Sequence, residues 1–215
     1  LASEKKIVSI ISKKFPDHNF LLEEQQAIKK NSDMTWVIDP LDGTTNFAHN
    51  HPFFCISIAL VDNHNEPLLG VVYNPLSKEL FHAAKGKGAF LNNKKFFVSK
   101  NKKLIDCLLS TGFPYSNLNI MKRNVNHIKN FLGKVQGVRR DGAAALDLAF
   151  TACGRFDGFW EYDLKPWDVA AGKLLVDEAG GKITTLDNKP YTIFDKAVLA
   201  SNGLIHGQML KILTK

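Results

Sequence analysis

Asp39 and Asp42 stand three residues apart in the stretch Asp39-Pro-Leu-Asp-Gly-Thr-Thr-Asn-Phe47, and their surroundings point to chemistry. Trp36, Val37 and Ile38 read as a buried strand that delivers Asp39 to a sheet edge, where Pro40 is expected to end the ladder. Gly43 permits a tight reversal, and Thr44 and Thr45 read as caps of a new helical turn. Two carboxylates, a hydroxyl and backbone N–H groups thus converge. Carboxylates this close repel and take up protons unless a cation lies between them. A hard divalent metal is the simplest occupant, and the N–H groups suit a phosphate.

Two other acidic places stand out. Glu23 and Glu24 end the apolar run Phe20, Leu21, Leu22, and Asp168 follows Pro166 and Trp167 at a helix start. Each has a plain explanation by itself: Asp168 caps its helix, and the glutamates are solvated charges. No histidine or cysteine cluster accompanies them, so an oxygen-only donor set suits Mg²⁺ or Mn²⁺ and argues against zinc. Cys55, Cys107 and Cys153 are far apart without metal spacing. An odd number in apolar surroundings reads as reduced core thiols of a cytoplasmic protein.

These residues need a scaffold, and the pattern supplies one. A helix is expected over 7–15, ended by Pro16, then a short strand over 20–22 and a polar, mobile loop over 25–35. Residues 53–61 read as a central strand. Strands over 68–73, 79–83, 89–91 and 95–98 follow, joined by Asn- and Gly-containing turns, which makes an antiparallel meander. The Lys85-Gly-Lys-Gly88 piece lacks the context of a phosphate loop and reads as a hairpin. From about residue 105 strands (107–111, 135–138, 158–161, 182–185, 197–201) alternate with helices (120–132, 143–152, 168–179, 204–213). The fold class is α/β, with an α+β first half (1–104) and a more α/β second half (105–215) in one unit.

The 215 residues, 45% hydrophobic and 23% charged with fifteen Phe, support a proper core and exclude disorder. No apolar run is long enough to span a membrane, and residues 1–6 carry no signal-peptide core. The net charge of +7 comes from scattered lysines, which favours a solvated surface over a nucleic-acid groove. The same field would draw in an anionic small substrate.

Together, Glu23-Glu24, the 39–47 stretch, Trp167-Asp-Val-Ala-Ala-Gly172 and Glu178-Ala-Gly-Gly181 resemble the signature blocks of the inositol monophosphatase family, lithium-sensitive and Mg²⁺-dependent phosphatases. Gly70-Val-Val-Tyr-Asn-Pro75, Thr111-Gly-Phe-Pro-Tyr115 and Arg140-Asp-Gly-Ala-Ala-Ala-Leu-Asp147 extend the likeness in order along the chain. The resemblance implies a layered αβαβα sandwich, also that of fructose-1,6-bisphosphatase, and commonly a homodimer. It implies that Glu23, Asp39 and the Leu41 carbonyl hold one metal, and that Asp39, Asp42 and Asp168 hold a second. Thr44 and Glu23 would orient and activate a metal-bound water, while the Gly43 and Thr44 N–H groups cradle the phosphate. Gly142, Ala144 and Glu161 match the positions that meet the polyol, and Asp42 is a further candidate for a hydroxyl contact. Ala144 and its neighbours also suit plain helix packing, and Glu161 a strand-end charge.

The sequence departs from the pattern at Leu22, where Gly is usual, and in a shorter 23–39 segment. The resemblance also implies about forty further residues ahead of this chain's first helix, with an acidic loop near a third metal. The expected activity is hydrolysis of myo-inositol monophosphate or a similar polyol phosphate. Fructose 1,6-bisphosphate, a 3′-phosphoadenosine nucleotide or histidinol phosphate are alternatives on the same core. A role with RNA or the transcription machinery is an alternative of another class.

Overall fold

Alternate burial along residues 55–61, where Cys55, Ser57, Ala59 and Val61 point inward, marks a strand near the middle of a seven-stranded sheet. A computed structural model gives the fold and describes residues 2–114 and 117–214. Tyr115, the last residue of the 111–115 motif, lies outside the described residues. The sheet runs β1 (Asn19–Leu22), β2 (Thr35–Asp42), β3 (Cys55–Val61), β4 (Pro67–Asn74), β5 (Glu79–Ala84), β6 (Gly88–Leu91) and β7 (Lys94–Phe96), neighbours in space as in sequence. From β2 onward it is the expected antiparallel meander, while β1 joins β2 in parallel. Residues 25–35 fold back so that Ile28 bridges Phe20.

The strand carrying the acids differs from expectation. β2 runs through Pro40 to Asp42, with Asp39 opposite Ser57 and Asp42 opposite Cys55: three steps on β2 against two on β3. Pro40 therefore does not end the strand. It sits in a bulge, where the ladder is interrupted and its missing N–H costs nothing. The short helix α2 (Thr44–Ala48) is also capped differently. Gly43, not a threonine, is its N-cap, at φ 89° and ψ 38°, and a Cβ there would lie 2.9 Å from the Phe53 carbonyl oxygen. A left-handed backbone in that space requires glycine. Thr44 and Thr45 are instead the first helical residues.

The second sheet has the order β11 (Lys182–Thr184), β12 (Ala197–Ser201), β10 (Gly158–Tyr162), β8 (Leu108–Thr111), β9 (Gly137–Arg139). β9 starts two residues later than expected, where Gly137 pairs with Leu108 of β8, and Val135 lies in the core cluster that includes Phe131. The helices complete the layers. α1 (Ala2–Lys14) sets Ile7, Val8 and Ile11 against Phe20, Leu22, Trp36 and Ile38 on the outer face of the first sheet. α4 (Ala144–Ala152) and α5 (Pro166–Glu178) lie between the sheets, while α3 (Leu118–Phe131) and α6 (His206–Leu213) pack on the far side of the second. The result is the expected αβαβα sandwich. Leu146, Leu148 and Leu175 are wholly buried in its middle layer, each contributing about 2 kcal/mol. α5 approaches β4 closely at Gly70, where a Cβ would lie 2.9 Å from the Ala171 carbonyl oxygen.

The glycine-rich 85–88 turn is a hairpin between β5 and β6. The Glu178 carboxylate accepts from the Gly86 N–H at 2.6 Å and the Gly88 N–H at 2.7 Å, so these donors are already taken. The three cysteines are free, two of them buried. Among the described residues no helix is long and apolar enough to cross a membrane.

Candidate active site

Residues three apart on a regular strand point to opposite faces. The β2 bulge cancels that alternation and brings Asp39 and Asp42 to one cavity of ≈ 200 Å³. Its wall also holds Glu23 from the end of β1, Leu41, Gly43 and Thr44 from the bulge and α2, Gly142 from the loop before α4, and Asp168 from α5. Eight of the ten residues expected in the site therefore share one cavity. Ala144, the first residue of α4, is buried and is not among the residues lining this cavity. Glu161, on β10, is outside the lining but close enough to feel the charges of Asp168 and Asp42.

Local bonds fix these groups. Asp39 Oδ1 accepts from the Leu41 N–H at 2.8 Å and holds the bulge, and Thr44 Oγ1 donates to the Leu41 carbonyl at 3.1 Å. That carbonyl keeps a second lone pair for a ligand. Asp42 Oδ2 accepts from the Ala145 N–H at 2.7 Å. Asp168 Oδ2 accepts from the Lys165 N–H at 2.8 Å, so it closes the first turn of α5 as well as facing the cavity. Both readings of Asp168 as a cap and as a site acid are compatible.

Burial, and then mutual repulsion, raise these carboxyls above the usual carboxylate range. Burial, then the charges of Asp42 and Glu23, push Asp39 up to about 10. Burial and then Asp168 push Asp42 up to about 8, with the Ala145 N–H opposing. Burial and the neighbouring Asp168 and Asp42 raise Glu161 to about 8, against the pull of Arg140. Asp168 is raised to about 6 by burial, against the Lys165 N–H, and Glu23 is raised by burial, against its hydrogen bond with Asp39. Acids packed in this way have the charge of a cation site without its counter-charge. The donor set is oxygen throughout, which fits Mg²⁺ or Mn²⁺. Among the described residues no three Asp, Glu, His or Cys side chains close around one point. Mg²⁺ is commonly held by only one or two carboxylates, with waters and phosphate oxygens completing its ligands, so it needs no closed cage of side chains.

Several contributors escaped the sequence reading. Asn46, nearly buried, donates through Nδ2 to the Phe53 carbonyl and to the Asp141 carbonyl, both at 2.7 Å, and so ties α2 to the loop carrying Gly142. It lies inside the 39–47 stretch, which was the available signal. Arg140 lines the cavity and stacks over Phe113. Glu4, fully buried in α1, accepts from the Glu24 N–H at 3.1 Å and the Gln25 side chain at 2.8 Å, steadying the segment that bears Glu23. Nothing local to Glu4 announces that role.

Comparison with known proteins agrees with this architecture. The sequence profile of the Inositol monophosphatase family matches residues 1–215. An inositol-1-monophosphatase of Synechocystis sp. is 44% identical over 212 residues, 98% of this chain and 74% of that protein. A putative Nus factor SuhB of Neisseria meningitidis serogroup B is 42% identical over 214 residues, 99% of this chain and 81% of that one. The crystal structure of the extragenic suppressor protein suhB from Bartonella henselae superimposes with a TM-score of 0.95 at 43% identity, covering 100% of this chain and 82% of that one. With the profile spanning the chain and the layers superimposing, the protein belongs to the inositol monophosphatase family of phosphatases.

Proposed function

We propose that this chain is a Mg²⁺-dependent phosphomonoesterase that hydrolyses myo-inositol monophosphate or a similar polyol phosphate. The observation that carries the reading is the cavity in which Glu23, Asp39, Asp42 and Asp168 face the start of α2. Glu23, Asp39 and the Leu41 carbonyl would hold one ion, and Asp39, Asp42 and Asp168 another, with Mn²⁺ as a substitute. When bound, the ions supply Lewis-acid neutralisation of phosphoryl charge and lower the pKa of water.

The chain's own groups do the rest. Gly43 and Thr44, at the helix start where N–H groups lack an intrahelical acceptor, receive the phosphoryl oxygens. Glu23 and the Thr44 hydroxyl orient the attacking water, and Glu23 takes its proton as the new P–O bond forms. The ester P–O bond breaks with its electron pair going to the polyol oxygen, which takes a proton from solvent water and leaves as the alcohol. No side chain serves as a nucleophile. Cys55, the thiol beside Asp42, is held well above the usual thiol range by burial and by Asp42, and stays protonated. Gly142, Ala144, Glu161 and Asp42 meet the polyol.

A substrate panel with Mg²⁺ tests the reading. Myo-inositol 1-phosphate should be preferred to fructose 1,6-bisphosphate, a 3′-phosphoadenosine nucleotide and histidinol phosphate, and millimolar LiCl should inhibit. A preference for any of the other three overturns the substrate assignment. Sedimentation of the purified chain as a monomer would overturn the expected homodimer.

The name of the Neisseria relative favours a second role at the transcription machinery. In that case Asp39→Asn would keep the cellular phenotype of the wild type, and RNA affinity would fall steeply with salt. Loss of phenotype with loss of turnover removes this second role.

A further inference from the structure

The Glu161 carboxylate rests directly on Gly112, at the end of β8. A Cβ on Gly112 would overlap all three carboxyl atoms of Glu161. Gly112 is not among the glycines with positive φ, so its backbone does not itself demand glycine. The space does.

The shelf is fastened from beneath. Asn124, wholly buried in α3, donates through Nδ2 to the Gly112 carbonyl at 2.6 Å and to Thr111 Oγ1 at 3.0 Å. Its Oδ1 accepts from Trp160 Nε1 at 2.6 Å, and Thr111 Oγ1 donates to the Trp160 carbonyl at 2.7 Å. Thr111 and Trp160 are also paired across the parallel β8–β10 ladder. One asparagine thus bolts the strand ends together at the point from which Gly112 and Glu161 project. A buried network with every member satisfied is rigid.

We propose that Gly112, held by Asn124, sets where the Glu161 carboxylate stands and thereby which pattern of hydroxyls the site accepts. Both are positioning residues for polyol selectivity. The inference rests on the reading above that Glu161 meets the polyol. It goes beyond that reading by assigning the selectivity to a residue that touches no substrate.

The overlapped group is the end of a flexible side chain, so Gly112→Ala displaces the carboxylate without rebuilding the backbone. With purified full chain and Mg²⁺, Gly112→Ala should raise KM for myo-inositol 1-phosphate ~10-fold. Turnover number, and hydrolysis of p-nitrophenyl phosphate, should stay within about two-fold. In a Glu161→Ala background, adding Gly112→Ala should change neither KM nor the thermal unfolding midpoint further, because the overlap is gone. The unfolding cycle reads this coupling without turnover. If Gly112→Ala alone does not fold, its rescue by Glu161→Ala is the same coupling. Additive effects, equal losses on both substrates, or failure of the double variant to fold overturn the proposal. If Glu161→Ala raises KM and Gly112→Ala does not, only the role of Gly112 falls. If Glu161→Ala leaves KM unchanged, the polyol contact falls with it.

Discussion

Asp42 Oδ2 caps α4 from another layer of the molecule, accepting the Ala145 N–H at 2.7 Å. Ala143, the N-cap of α4, has no side chain able to do so. A candidate metal ligand on the first sheet therefore also fastens the helix that begins at Ala144, two residues after Gly142.

The two duties of Asp42 separate by substitution. Asp42→Asn keeps an acceptor for Ala145 and loses the charge, so turnover should fall by ~10³-fold with little change in urea stability. Asp42→Ala should match that loss and also cost about 1 kcal/mol of stability, the value of a helix cap. Equal stability of the two variants would contradict the cap.

Asp39→Asn and Asp168→Asn should each abolish phosphate release at any Mg²⁺ concentration. Asn at 168 still accepts from the Lys165 N–H, so α5 should stay intact by circular dichroism. Wild-type-like turnover in either variant would remove these residues from the site.

Asn46→Ala should leave the Phe53 and Asp141 carbonyls short of a donor and cost about 1–3 kcal/mol. Asn46→Asp should be worse, because it sets a carboxylate against two carbonyl oxygens. Urea titration ranks the three proteins, and a stable Asn46→Asp would refute the latch.

The raised carboxyls predict a pH slope for metal-free protein. At low pH the site acids are neutral in both states and cost nothing. As pH rises above about 4 the unfolded chain ionises first, while Asp168 holds its proton to about 6 and Asp42 to about 8. Asp39 holds its proton to about 10, so stability is lost progressively between about pH 4 and 10. Unfolding midpoints should drop across this range, less so in Asp168→Asn, and MgCl₂ should restore most of the loss near pH 8. A slope unaffected by Mg²⁺ or by Asp168→Asn would disprove the cluster as its source.

Periodic features of the fold were legible. The apolar run over 53–61 and the Ala-rich run over 143–152 set the layers, because runs of this kind mark buried elements in local sequence. The acids were legible as a set because they sit inside dense motifs. The bulge was not, since proline is read as a stop and only a partner strand reveals that the ladder resumes. The Gly43 cap was hidden behind two good capping residues, because the choice depended on how close Phe53 approaches. Asn46, Glu4 and Asn124 act on groups distant in the chain, and single-residue type carries no trace of such partners.

The bulge in β2 makes the site a matter of parity. If residues 39–42 ran as a regular strand of the same length, the pairing with β3 would slip by one step and one of the two acids would turn into the layer occupied by α1. The better sheet would be the dead protein. The irregularity between Asp39 and Asp42 is therefore part of the site, and idealising this strand at its present length would unmake the site it carries.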